Sequence, residues 1–142
     1  MDGPVVVGTD GSDTAAVAVT EAITLAKALG RDVHVVSAHK PVAVQVSGLP
    51  AEMQGSISSL SKVEGILDDA AAKARSAGLT VQCHLCTGDP AEAILDVAQE
   101  VGAGVIVVGN KGIRSAKRFL LGNVPSKVVH HAPCSTYVVH TT

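Results

Sequence analysis

Tryptophan is absent, and one Phe and one Tyr are the only aromatics among 142 residues. A chain this poor in rings has almost nothing on which to stack bases. Nor does it carry an excess of positive charge: the formal net charge is -2. Together these exclude nucleic acid as the main partner, which calls for a basic face. Cysteine is scarce and odd in number, with 3 residues. That excludes a disulfide framework. No apolar run approaches the roughly 20 residues that span a bilayer. The opening "MDGPVVVG" has an acid where a secretory leader carries cations, and it lacks a long apolar core. These absences point to a cytoplasmic chain with no membrane partner.

What is present is aliphatic. Hydrophobic residues make up 46 % of the chain, and without aromatics the core must be built from Val, Ala, Leu and Ile. The length suits one domain over residues 1–142. Short Val-rich runs alternate with Ala-rich stretches, which favour strands and helices respectively. Residues 4–9 (PVVVGT), 32–41, 79–88, 104–109 (GVIVVG) and 135–140 read as strands. Four helical patterns lie between them. In the first, Ser12 or Asp13 caps, Gly30 closes, and Ala16, Val19, Ile23, Ala26 and Leu29 form the apolar stripe. The second starts near Ser59 and buries Leu60, Val63, Leu67, Ala71 and Ala74; residues 40–57, with Gly48, Pro50 and Gly55, read as a long loop. The third is the best signed: Asp89 caps, Pro90 takes the first helical position, and Glu92 completes a capping box. The fourth runs from about Asn123 to His131. Such alternation predicts an α/β fold, a doubly wound parallel sheet with helices on both faces.

In such sheets ligands bind beyond the carboxyl ends of the strands, where the strand order reverses. Two loops suit that place, "GTDGSD" after strand one and "GNKGIRSAKRFLLGN" after strand four. Glycine lets the backbone approach a ligand. A helix starting near Gly122 adds free N–H donors and a positive dipole end, and Lys111, Arg114, Lys117 and Arg118 add charge suited to phosphates. The spacing Gly109-x2-Gly112-x9-Gly122 is weak by itself, so a crossover with solvated cations stands beside a phosphate site. Asp10 suits either a helix cap or a ligand contact.

Other motifs carry less chemistry. "CHLC" lies within a strand, so Cys83 and Cys86 point to opposite faces, unlike reactive pairs at helix N-termini. A zinc site would need two more ligands, for which His84, His130, His131 and Cys134 qualify by type alone. His130 and His131 suit the C-terminal dipole end of the fourth helix. No Walker A pattern occurs, and "GAGVIVVG" precedes a strand rather than following one, so it is no dinucleotide fingerprint.

Three stretches resemble the universal stress protein family: "VVVGTDGSDTAAVAV", "GDPAEAILDVAQEVGAGVIVVGNKG" and "RFLLGNVPSKVVHHAPCSTYVVH". The likeness covers essentially the whole chain. It implies a parallel sheet of order 3-2-1-4-5 and, in members with the pattern Gly-x2-Gly-x9-Gly-Ser/Thr, ATP binding. The implied nucleotide site is Gly8, Thr9, Asp10, Ala38, Val108, Gly109, Asn110, Lys111, Gly112, Ile113, Arg114, Ser115, Gly122, Asn123, Val124, Pro125 and Ser126. Within it Asp10 would lie near ribose or adenine, Ala38 would meet adenine through its backbone, and the glycines and Asn123 would wrap ribose and phosphates, with Arg114 near the phosphates. The family's usual dimer would pair Ser135–His140 of two subunits.

One position departs from the pattern: Asn123 stands where the family has Ser or Thr. Asparagine caps helices well and its amide can donate to a phosphate, but it offers no hydroxyl to a metal. Mg²⁺ use is thus less implied than the glycines suggest, and AMP or cyclic AMP, which some similar members bind, stands beside ATP. The expected function is non-catalytic adenine nucleotide binding by a stress-response regulator or nucleotide sensor. The alternatives are a slow ATP hydrolase and a dimeric interaction module without ligand.

Overall fold

The computed structural model describes residues 2–39, 49–110 and 121–141, with the backbone alone over 49–59. Strands and helices alternate as β1 (Val5–Gly8), α1 (Asp13–Leu29), β2 (Val33–His39), α2 (Leu49–Ser76), β3 (Val81–Thr87), α3 (Pro90–Val101), β4 (Val105–Gly109), α4 (Asn123–His131) and β5 (Ser135–Val139). All pairings are parallel, and the sheet order is β3-β2-β1-β4-β5. Parallel strands need crossovers, and right-handed crossovers of opposite sense place helices on both faces.

The period of two along each strand divides the core. Val5 and Val7 of β1, Val33 and Val35 of β2, and Val105 and Val107 of β4 face α1 and α2, against Ala18, Ala22, Ala26, Val63 and Leu67. Val6, Val36, Ile106 and Val108 face α3 and α4, against Ala91, Ile94, Val97, Ala98 and Val128. β1 and β4 are apolar on both faces because helices cover both. The two cysteines of β3 part accordingly: Cys83 Sγ donates to Leu67 O of α2 at 3.6 Å, while Cys86 packs into the α3 face. Burial holds the thiols of Cys83, Cys86 and Cys134 above the ordinary cysteine range, and all three are free. They are structural cysteines with little thiolate character.

Local signals fix most helix ends. Ser12 caps α1, its Oγ accepting from Ala15 N at 3.1 Å. Gly30 closes α1 and Gly102 closes α3 in the left-handed conformation, at φ 66° and 65°. Asp89 caps α3 through Glu92 N at 3.0 Å, with Pro90 in the first turn.

Two expectations need correction. The loop over 40–57 is helical from Leu49 onward, so α2 begins ten residues before Ser59; residues 40–48 lie outside the described residues. Pro50 falls in the first turn, where a missing N–H costs nothing, and a long helix tolerates Gly55 at about 1 kcal/mol. The buried face of α1 is centred on Ala18, Val19, Ala22 and Ala26, whereas Ala16 is partly exposed and Leu29 exposed. Small residues bring the helix axis close to the sheet, and the larger Leu falls to the rim. α4 covers the expected range, Asn123–His131, and its cap is Gly122, in extended conformation at φ -61° and ψ 164°.

Candidate functional site

All strands end at one edge of the sheet, and the order reverses between β1 and β4. β1 leads to α1 on one face and β4 to α4 on the other, which opens a crevice between their carboxyl ends. Gly8, Thr9 and Asp10 lie on one side of it. Val108, Gly109 and Asn110, with Gly122 to Ser126, lie on the other. Ala38 is one strand further, on β2, paired with Cys86. Lys111, Gly112, Ile113, Arg114 and Ser115 lie outside the described residues, as do Lys117 and Arg118.

The β1 side is closely packed. A β-carbon on Gly8 would overlap Ile94 Cδ1 of α3 and come within 3.0 Å of its Cγ1. Glycine at this position therefore makes room for α3 beneath the strand end. Thr9 N continues the ladder to Val36 O at 2.9 Å, and Thr9 O accepts from Ser37 Oγ at 2.8 Å. Gly11 has φ +82°, and a β-carbon there would lie 2.7 Å from Ile66 Cδ1 of α2. Thr9 Oγ1 accepts from Gly11 N at 3.2 Å, and Asp10 Oδ1 accepts from Ser12 N at 2.9 Å. Asp10 thus forms the turn that leads into α1 while its side chain stays exposed. Asp10 is not the cap of α1, a role Ser12 takes, and its exposed carboxylate stands at the crevice.

The β4 side is built around a helix terminus. Asn110 N donates to Val139 O at 2.9 Å, the last rung of the β4–β5 ladder, and Asn110 O accepts from Gly122 N at 3.0 Å. The carboxyl end of β4 is thereby tied to the start of α4. Ser12 and Asp89 supply side-chain caps to α1 and α3, but Gly122 has no side chain, and α4 has no side-chain cap bond among the described residues. Ser126 N bonds to Gly122 O at 3.0 Å, and Pro125 has no N–H to satisfy. The N–H groups of Asn123 and Val124 are the donors that a helix start leaves for an anion. No acidic residue stands in this first turn to compete.

Lys127 sits one turn on. Its Nζ donates to Glu92 Oε1 at 3.2 Å and Asp89 Oδ2 at 3.3 Å, joining α4 to the start of α3. The hydrogen bond to Glu92, foremost, raises its pKa above the ordinary lysine value. Its charge neutralises the α3 cap and adds an exposed link between the two helices.

Elsewhere the chemistry is structural. Among the described residues no group of three or more His, Cys, Asp or Glu could hold a metal ion, and none of their helices is long and apolar enough to cross a membrane. A groove of about 430 Å³ lies between the middle of α1 and the last turns of α2, lined by Thr20, Ile23, Thr24, Ala72, Lys73 and Ser76. It is separate from the crevice.

His34 and His84, on β2 and β3, share a hydrogen bond between Nδ1 and Nε2 at 2.8 Å. That bond needs at least one neutral ring. Burial first, then the His84 charge, hold the His34 imidazole below its ordinary value, with Asp32 pulling the other way. A lowered histidine is protonated more readily in the unfolded chain. Its contribution to stability is therefore fully present above about pH 6.5 and is lost as pH falls through the lowered folded value. The urea midpoint of the wild type should fall between about pH 7.5 and 5 more steeply than that of His34→Gln. Equal slopes would mean that the pair does not carry the acid sensitivity.

Three participants escaped the sequence reading: Ser37, Lys127 and Thr141. Thr141 N and Oγ1 both donate to Asn110 Oδ1, at 2.9 and 2.8 Å. No local pattern marks any of them, because each is defined by a partner distant in sequence.

Comparison with known proteins agrees with this architecture. The profile of the universal stress protein family matches residues 1–140. The universal stress protein YxiE of Bacillus subtilis is 33% identical over 147 residues, covering 98% of this chain and 99% of that protein. A universal stress protein solved in complex with cAMP is 30% identical with a TM-score of 0.75, covering 99% of this chain and 98% of that one. The universal stress protein of Archaeoglobus fulgidus, solved with dAMP, is 27% identical with a TM-score of 0.71, covering 95% of each. With the sheet order, the two glycine loops and a match spanning nearly every residue, this chain belongs to the universal stress protein family.

Proposed function

We propose that residues 1–142 form one adenine-nucleotide-binding unit that holds its ligand, without turnover, at the carboxyl ends of β1 and β4. The observation that carries this reading is the start of α4. It is capped by Gly122 alone, it lacks acidic residues, and it is tied to the end of β4 at the point where the sheet order reverses. Such a terminus suits a phosphate. Gly8, Thr9 and Asp10 lie across the crevice to meet the nucleoside, and Ala38 offers its backbone to adenine. Relatives solved with cAMP and dAMP support an adenine base. Asn123, exposed in the first turn, offers an amide donor where a hydroxyl would serve a metal. This favours AMP or cyclic AMP alongside ATP and leaves Mg²⁺ dispensable.

The protein would act in the cytoplasm as a nucleotide sensor or stress-response regulator. It would do so as a homodimer through Ser135–His140. β5 is an edge strand that carries exposed Tyr137 and Val138, with exposed Val129 on α4, and a sheet edge with apolar side chains is a template for a second chain.

Calorimetric titration with ATP, AMP and cyclic AMP, each with and without Mg²⁺, tests the reading. Saturable binding of at least one below about millimolar, a gain of more than roughly 4 kcal/mol, with no product after hours, is the expected result. Absence of binding by all of them would leave the dimer surface as the function, and steady release of product would make the protein a hydrolase.

A further inference from the structure

Asn110 joins three segments that are far apart in sequence. Its N–H completes the β4–β5 ladder on Val139 O, and its carbonyl oxygen receives Gly122 N at the start of α4. Its side-chain oxygen receives both the N–H and the hydroxyl of Thr141, just beyond β5. One side-chain oxygen accepting two donors under 3 Å is fully used, and the rotamer of Asn110 is thereby fixed. Both residues are partly buried, so water does not easily replace these bonds.

From this we infer that Thr141 is a positioning residue for the α4 terminus, acting through Asn110. The inference rests on the nucleotide reading above and names the residue that sets the geometry of that site. Thr141 holds the Asn110 side chain, Asn110 then presents its carbonyl to Gly122, and Gly122 fixes the direction in which the Asn123 and Val124 N–H groups point. Donors aimed at a phosphate lose much of their effect when displaced by a fraction of an ångström. A bond at the end of the sheet therefore governs affinity at the crevice. It also links the β5 edge to the site through one pair of side chains.

The test compares Thr141→Ala, which removes the hydroxyl bond, with Thr141→Ser, which keeps both donors. Two readouts are taken on the full chain. The first is amide exchange at Gly122 without ligand, expected to quicken about tenfold in Thr141→Ala and to return to the wild-type rate in Thr141→Ser. The second is the affinity for whichever of ATP, AMP or cyclic AMP the wild type binds. It should weaken about five- to tenfold in Thr141→Ala and recover in Thr141→Ser, with the unfolding midpoint little moved. A lowered midpoint with unchanged affinity would make Thr141 merely structural and overturn the inference. Unchanged exchange at Gly122 would overturn it too. If the wild type binds no nucleotide, the functional reading fails, and the exchange comparison decides the junction by itself.

Discussion

Replacing Ile106 by alanine should lower the free energy of unfolding by about 2–5 kcal/mol. Among the described residues Ile106 is the largest of the fully buried side chains, at 0% exposure. It lies at the centre of the sheet, paired with Val6 of β1 and Thr136 of β5, and faces α3 and α4. Its neighbours on that face are Val6, Val36 and Val108 and the small residues of α3. β-Branched side chains are stiff, and alanines have no reach. A core with so few aromatics cannot move a ring into the gap, so most of the lost volume persists as a cavity. Against a total stability of about 5–15 kcal/mol, this change alone brings the chain close to unfolding. Urea titration would show a lower midpoint at an unchanged slope, and Ile106→Val should cost only about 0.5–1.5 kcal/mol. A loss below about 1 kcal/mol for the alanine variant would mean that α3 collapses onto the sheet more freely than its packing implies.

The second large effect separates two reasons for a glycine. Gly8 invites a functional explanation, because it stands at the crevice between the ends of β1 and β4. The structure supplies a packing reason as well: any β-carbon there overlaps Ile94 Cδ1. Gly8→Ala should therefore destabilise the protein by about 1–3 kcal/mol and weaken nucleotide binding with it, because either Ile94 must leave its rotamer or β1 must shift. Ile94→Val removes the obstructing methyl. The double variant should regain most of the stability and affinity lost by Gly8→Ala, with a coupling of about 0.5–3 kcal/mol in the cycle. If Gly8 served ligand approach alone, Gly8→Ala would keep its stability, and Ile94→Val would rescue nothing.

How much of this was legible in the chain depends on whether the deciding interaction is local. β1 and β4 were readable because a Val run between glycines and prolines has few alternatives to a buried parallel strand. The α3 terminus was readable because Asp89, Pro90 and Glu92 act within one turn. The order of the sheet and the place of the crevice came from family likeness, and the strand pairings bear that order out. Failures occurred where a local signal permits two outcomes. Pro50 and Gly55 suggest a loop, yet α2 contains both, since proline in a first turn removes only an N–H that has no partner. Of the expected α1 stripe Val19 and Ala26 are buried, but the sheet also admits Ala18 and Ala22 and turns Leu29 outward.

The sequence by itself determined the alternation of elements, the aliphatic core and the two glycine loops. Periodicity, caps and composition act over a few residues and need no partner. Only the tertiary structure decided what a side chain at Gly8 would meet, which residue caps α4, and what holds its start in place. Ile94 lies 86 residues from Gly8 in the numbering, and Thr141 lies 31 from Asn110. Gly122 caps α4, and its N–H is held by the Asn110 carbonyl at the end of β4. Contacts between distant segments depend on where the sheet brings the chain ends together, and no short stretch of sequence encodes that.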